Sequence, residues 1–211
     1  SGHGHTLTPV GAPGVIAGKI GNAAEILTGQ YLRGLTDQPP MRFGNQDFTV
    51  AIWAYLSSVA TPAAQTVLAV WQEAFDLRGW AVYYDASLSR WVFLVSSTGT
   101  AGTVAQVNAN QFGPATANTW YLVIAWHDAA NDLIGIQIGD ATTLYTADTA
   151  GHSAGVFKAT ATLTLGRNSD GSTAPMTGRL DGAGLWGDVV LTTLQKSMLH
   201  KAGAGREYPF A

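Results

Sequence analysis

The chain contains no cysteine, which excludes both disulfide staples and thiolate metal sites. Charge is also scarce. Asp, Glu, Lys and Arg make up 12% of the 211 residues, about half of the ~25% usual in globular proteins. A formal net charge of only -3 does not attract a phosphate backbone or an anionic membrane surface. Nucleic acid is therefore excluded as a partner. No apolar run approaches the ~20 residues that cross a bilayer, so membrane insertion is excluded too. A signal-peptide pattern is absent; Ser1-Gly-His-Gly-His5 reads as turn material, and any targeting segment is expected to have been removed or to lie in a larger parent chain.

What is present is apolar and turn-rich. Hydrophobic residues reach 46%, enough for a large core and too many for a disordered chain. The solvent faces must then be built from Thr, Ser, Asn, Gln, Gly and Ala. Phe48-Thr-Val-Ala-Ile-Trp-Ala-Tyr-Leu56 is apolar on both alternating faces, the pattern of a mid-sheet strand whose second face is also covered or used. Further strands are expected at 66–71, 80–85, 90–96, 103–107, 119–126, 133–139, 142–145, 159–166 and 176–186, with Gly, Pro, Asn and Asp between them. Short strands at this spacing indicate an all-β, antiparallel two-sheet sandwich or jelly roll, with residues 1–211 as one domain. Trp120, Leu122, Ile124 and Trp126 are expected on one face, paired with Ile134, Ile136 and Ile138 of the next strand. Trp80 and Trp120 are expected in the core. Trp53 and Tyr55 either line an open sheet face or lie under the Ile20–Leu35 segment, the covered state fitting Trp53 better. One short C-terminal helix is expected over Leu194–Ala202, capped by Thr192 or Thr193 and stopped by Gly203.

The order of these features resembles a known family. Gly18-Lys-Ile-Gly-Asn-Ala-Ala-Glu25, Tyr31-Leu32 and Asp47-Phe-Thr-Val-Ala-Ile-Trp53 are similar to the opening of the concanavalin A-like lectin/glucanase superfamily, in its laminin G-like and pentraxin-like branch. Asn118–Ala125, Thr162-Leu-Thr-Leu-Gly166, Gly178-Arg-Leu-Asp181 and the closing Leu191–Gly203 match its later blocks. The resemblance spans roughly residues 1 to 205. Two departures stand out. The strand that usually precedes a turn like Ser1–His5 is missing, and Asp181 is followed by Gly-Ala-Gly rather than Glu.

The resemblance brings glycoside hydrolases into view, and these generally need two carboxyl groups flanking the scissile bond. Glu occurs only as Glu25, Glu73 and Glu207, none sharing a strand with another, so no acid pair like that of the glucanase branch exists. A nucleophile elbow and a phosphate-binding Gly motif are absent as well. The chain is read as a non-enzyme.

Sorting loops by strand parity gathers 72–79, 97–102, 127–132 and 146–158 at one end. That rim carries Trp71, Asp76, Arg78, Trp126, His127, Asp128 and Asp132 as candidate ligand-binding residues. Aromatic faces and planar polar groups at such a rim suit a sugar. Asp128, Asp132 and Asp148 are candidate metal ligands, since Ca2+ takes several loop oxygens; plain solvated turns explain the same acids. Two functions follow. The first is a non-catalytic carbohydrate-binding or adhesion module, lectin-like, recognising a polysaccharide or cell-surface glycan. The second is a structural or assembly domain of a phage virion, fibre or bacterial surface protein, joined to other subunits through an open sheet edge. Either places the protein outside the cell, on a cell surface or on a virion.

Overall fold

The computed structural model describes residues 6–34, 42–171 and 173–206; the Ser1–His5 turn and Glu207 lie outside them. Fourteen strands follow in order: β1 (Thr8–Val10), β2 (Gly14–Ala17), β3 (Asn22–Ile26), β4 (Tyr31–Arg33), β5 (Phe48–Leu56), β6 (Ala64–Gln72), β7 (Leu77–Asp85), β8 (Arg90–Ser96), β9 (Val104–Asn108), β10 (Trp120–Asp128), β11 (Leu133–Gly139), β12 (Asp148–Gly151), β13 (Thr164–Leu165) and β14 (Gly178–Gly187). They form two seven-stranded sheets, β1-β4-β13-β6-β7-β8-β9 and β12-β11-β10-β5-β14-β3-β2. Helix α1 (Thr193–His200) follows the last strand. Thr192 caps it: the Thr192 hydroxyl accepts from Gln195 N while the Gln195 side chain accepts from Thr192 N, which satisfies two orphan amides at once.

The core lies between the sheets. Phe48, Val50, Ile52, Ala54 and Leu56 of β5 point into it and meet Leu68, Val70, Trp80, Val82, Trp91 and Phe93 from the other sheet. Phe43 stacks on Phe48 with ring centres 4.2 Å apart. The alternate residues of β5 and β10 form a second apolar layer on the outer face of their sheet. Ala51, Trp53, Leu122, Ile124 and Trp126 are buried there against Leu191 and Leu199. This layer explains why Phe48–Leu56 is apolar on both faces: one faces the sandwich interior and the other the C-terminal helix.

Register corrects one expectation. Val123, Ala125 and His127 of β10, rather than Leu122, Ile124 and Trp126, stand opposite Ile138, Ile136 and Ile134. Trp120 accordingly belongs to the outer layer, packed against it and half-buried, and not to the central core. Trp80 is central, as expected. Trp53 is covered, with the Lys19 ammonium 4.8 Å over its ring and the His200 imidazole stacked 6.1 Å away. Two expected strands are shorter or absent: Thr164–Leu165 is all that forms within 159–166, and 142–145 is a turn joined to the sheet by a single bridge, Gly139 to Leu144.

Two of the blocks behind the family resemblance meet in space. Both Lys19 N and Ile20 N donate to Asp181 Oδ2 at 2.7 Å, so the Gly18–Gly21 turn is tied to β14 by charge-assisted bonds. Gly18 leaves room for this: a Cβ there would lie 2.4 Å from the Asp181 carboxylate. Asp181→Ala strands both amides and is expected to lower stability by about 2–3 kcal/mol. A denaturant midpoint shifted by less than a third of that would show that water replaces the carboxylate freely.

Candidate functional site

Antiparallel register puts the 72–77, 96–104 and 128–133 connections at one end of the sandwich, and the 56–64, 108–120 and 139–148 connections at the other. The first end holds the rim expected from sequence. Trp71 is 4% exposed; its backbone exchanges hydrogen bonds with Ser169 and its indole donates to Glu73 Oε1. Trp126 is 6% exposed, lying beneath the Lys196 ammonium 3.2 Å above its ring. Neither indole face is open to a ligand. Burial pushes the Lys196 ammonium down to about 8, with Asp128 opposing the shift. Asp76 and Arg78 do come together as an ion pair, Arg78 also donating to Gly99 O.

His127 and Trp126 are neighbours in sequence but point to opposite faces of β10. His127 is fully buried. Its Nδ1 donates to Gln46 O at 2.8 Å, its Nε2 is buried without a hydrogen-bond partner, and its ring stands 5.8 Å from those of Phe48 and His152. Burial pushes its pKa down most; the Gln46 hydrogen bond opposes this, the His152 imidazole adds to it, and Asp47 and Asp128 oppose it, leaving a net depression. Asp128 spends its oxygens on Asn131, from N and Nδ2. Asp132 is exposed at positive φ, the turn geometry that closes the β10–β11 hairpin.

The calcium expectation does not fit this geometry. Asp148 opens β12 opposite Ile136, three positions from the Gly151–Leu133 pair beside Asp132, about 10 Å along the strand. Its Oδ2 accepts from Gln111 N instead. The sequence placed Asp148 in a loop because Asp-Thr-Ala-Gly carries no strand signal. Among the described residues no group of three or more His, Asp or Glu side chains stands together as a metal site.

The opposite end holds a cleft of about 320 Å3, lined by Phe112, Pro114, Thr116, Thr119, Tyr121, Asp140, Ala141, Thr142 and Tyr145. Its aromatic wall is an edge-to-face pile in which Phe112 lies 5.2 Å from Tyr121 and 5.1 Å from Tyr145, the packing favoured by ring quadrupoles. Its polar wall is an Asx turn. Asp140 Oδ1 accepts from Thr142 N, Thr143 N and Thr142 Oγ1, and Oδ2 accepts from Tyr145 Oη at 2.8 Å. Burial pulls the Asp140 carboxyl upward, but these hydrogen bonds together outweigh it and hold the carboxyl below the ordinary value. Asp140 is charged at neutral pH, and its bond in turn raises the Tyr145 phenol.

The wall is buttressed from behind. His200, the last residue of α1, donates from Nε2 to Asp140 O at 2.8 Å. Gly203 packs so closely that a Cβ would lie 1.8 Å from Ala141 O, and its φ is +84°, a conformation open chiefly to glycine. The closing helix therefore fixes the cleft as well as covering Trp53. Sequence reasoning missed this site because it weighed acids at the other rim. The signal was present in Asp140-x-Thr-Thr-x-Tyr145 and Phe112-Gly-Pro114, two turn motifs whose side chains converge only after folding.

Comparison with known proteins agrees with this architecture. A family model, Laminin_G_3, described as concanavalin A-like lectin/glucanases superfamily, matches residues 29–193. Domain 4 of AbnA, a GH43 extracellular arabinanase from Geobacillus stearothermophilus, solved in complex with arabinotriose, has a similar structure: TM-score 0.56 at 19% identity, over 96% of this chain and 88% of that one. The receptor binding domain of botulinum neurotoxin mosaic serotype C/D is similar at TM-score 0.63 and 9% identity, over 95% of this chain and 46% of that one. The chain thus spans about half the length of such neurotoxin domains. At these identities the likeness is one of fold. No curated protein sequence matches the chain. Among the described residues no helix is long and apolar enough to cross a membrane.

Proposed function

Because the chain belongs to the laminin G-like family of the concanavalin A-like lectin/glucanase superfamily, we propose that it is a non-catalytic carbohydrate-binding module of an extracellular, cell-surface or virion protein. The observation that carries this reading is the make-up of the Phe112–Tyr145 cleft: aromatic rings and hydroxyls with one carboxylate, Asp140, already held by Thr142, Thr143 and Tyr145. Sugars bind through flat apolar ring faces and convergent hydroxyl contacts. Cutting them needs a second carboxyl group about 5–10 Å away and a general acid of raised pKa, and the Asp140 carboxyl is shifted the other way.

Affinity electrophoresis over a panel of polysaccharides, run beside an assay for newly released reducing ends, tests the proposal. Retardation without release is expected; release that scales with protein, or no retardation by any polysaccharide, would overturn it. The rim that carries Asp76, Arg78 and Asp132 is the competing location for the ligand, with the exposed acids and Arg78 as its polar contacts. The alternative assembly role is favoured by β2, an outermost strand whose Val15 is 78% exposed. A sheet edge of that kind pairs readily with another chain. Concentration-dependent light scattering separates the two readings.

A further inference from the structure

We propose that the Phe112–Tyr145 cleft selects an uncharged sugar and rejects acidic ones, a selectivity that rests on the carbohydrate-binding reading above. Most of the polar hydrogens in its wall are already spent within the protein. Tyr145 Oη spends its proton on Asp140 Oδ2, Thr142 Oγ1 spends its own on Asp140 Oδ1, and Thr119 Oγ1 donates to Ala117 O. The Thr142 and Thr143 amides are likewise turned inward onto Asp140. The outward capacity that remains is lone pairs: one on Oδ2 of Asp140, those of Tyr145 Oη, and those of the threonine hydroxyls. Two protons are the exceptions: that of Tyr121 Oη, which already accepts from Thr116 N, and that of the Thr116 hydroxyl, which also lines the cleft.

Such a wall matches a ligand rich in hydroxyl donors. To a carboxylate or sulfate it offers only the Tyr121 and Thr116 hydroxyl protons, set against the surrounding lone pairs and the Asp140 charge, with no Lys, Arg or His lining the cleft. His200, behind the wall, is turned onto the Asp140 backbone carbonyl. An anion placed beside the Asp140 carboxylate, with no cation lining the cleft to offset it, is disfavoured. Phe112 and Tyr145, both half-buried, leave ring surface for the C–H face of a sugar. At about 320 Å3 the space is at the small end of the ~300–1,000 Å3 typical of ligand sites, which suits the end of a chain.

Calorimetric titration of the intact protein with cellotriose, maltotriose and arabinotriose, against trigalacturonate, tests this. At least one neutral trisaccharide is expected to bind, with trigalacturonate weaker by tenfold or more. Phe112→Ala should weaken the neutral sugar at least tenfold. Tyr145→Phe keeps the ring pile and the fold but removes an acceptor, and should weaken it several-fold. Asp140→Asn should narrow the gap between neutral and acidic sugars, and Phe75→Ala at the far end should change nothing. Trigalacturonate binding as tightly as the neutral sugars would overturn the selectivity. Neutral binding untouched by both Phe112→Ala and Tyr145→Phe, or lost in Phe75→Ala, would overturn the site while leaving a carbohydrate-binding module standing. No binding of any sugar would remove both.

Discussion

Trp53→Ala is expected to lower the stability of the protein by about 3–5 kcal/mol, the range for deleting a large buried aromatic, and to release α1 from the sheet. Trp53 sits in the central strand β5 between Leu122 and Asp181 and is 1% exposed. It joins two of the pieces that cover this face, the Lys19–Ile20 turn and the closing helix: Lys19 lies over its ring, Ile20 packs in the same layer, and His200 stacks on it. Gly205 comes so near that an added Cβ would lie 3.0 Å from the indole nitrogen. Removing the ring opens a cavity under the helix rather than inside the sandwich. Hydrogen exchange should therefore quicken first at 193–200, before β6–β8 respond. A loss under about 1 kcal/mol, or uniform exchange across both sheets, would contradict a separate outer layer.

The second large effect is acid destabilisation through His127. Its pKa is depressed in the folded protein, so below the unfolded value of ~6.5 the unfolded chain binds the proton more readily. The stability associated with a neutral His127 is fully present above that pH. It is lost as pH falls from there towards the folded value, with a slope approaching about 1.4 kcal/mol per pH unit for one proton. The groups that face the ring set the sense. Phe48 and the depth of the core disfavour charge, His152 repels it, and Asp47 and Asp128 only partly offset both. Since His152 N donates to Asp132 O and its Nε2 to Gly155 O, the 152–155 segment should loosen with the titration. Denaturation followed from pH 8 to pH 5 should show this slope in the wild type and a shallower one in His127→Phe. Equal slopes would contradict it.

Legibility in the sequence followed the chemistry of each face. Phe48–Leu56, Arg90–Ser96 and Leu133–Gly139 form with the expected bounds because β-branched and aromatic residues run between clear turn residues. Alternation alone does not say which side of a strand is the interior when both are apolar. That is why Leu122, Ile124 and Trp126 were matched to the wrong neighbours, and why the helix covering them settles the question. Gly14-Val-Ile-Ala17 and Asp148-Thr-Ala-Gly151 are strands by virtue of pairing at the sheet edges, where tertiary contacts override weak local preference. Trp71 and Trp126 stand as candidate ligand-binding residues on the sequence alone because it carries no information about Ser169 and Lys196 lying against them. The cleft went unseen for a similar reason, since Phe112 and Tyr145 come together only through β10 and β11.

Chemical-shift mapping of the isotope-labelled protein, titrated with whichever polysaccharide fragment retards it, tests the central claim most directly. The binding site at the Asp140 turn requires the largest shifts at Phe112, Thr116, Thr119, Tyr121 and 140–145. Shifts centred on Asp76, Arg78 and 128–132 instead, with the Asp140 turn silent, would contradict it.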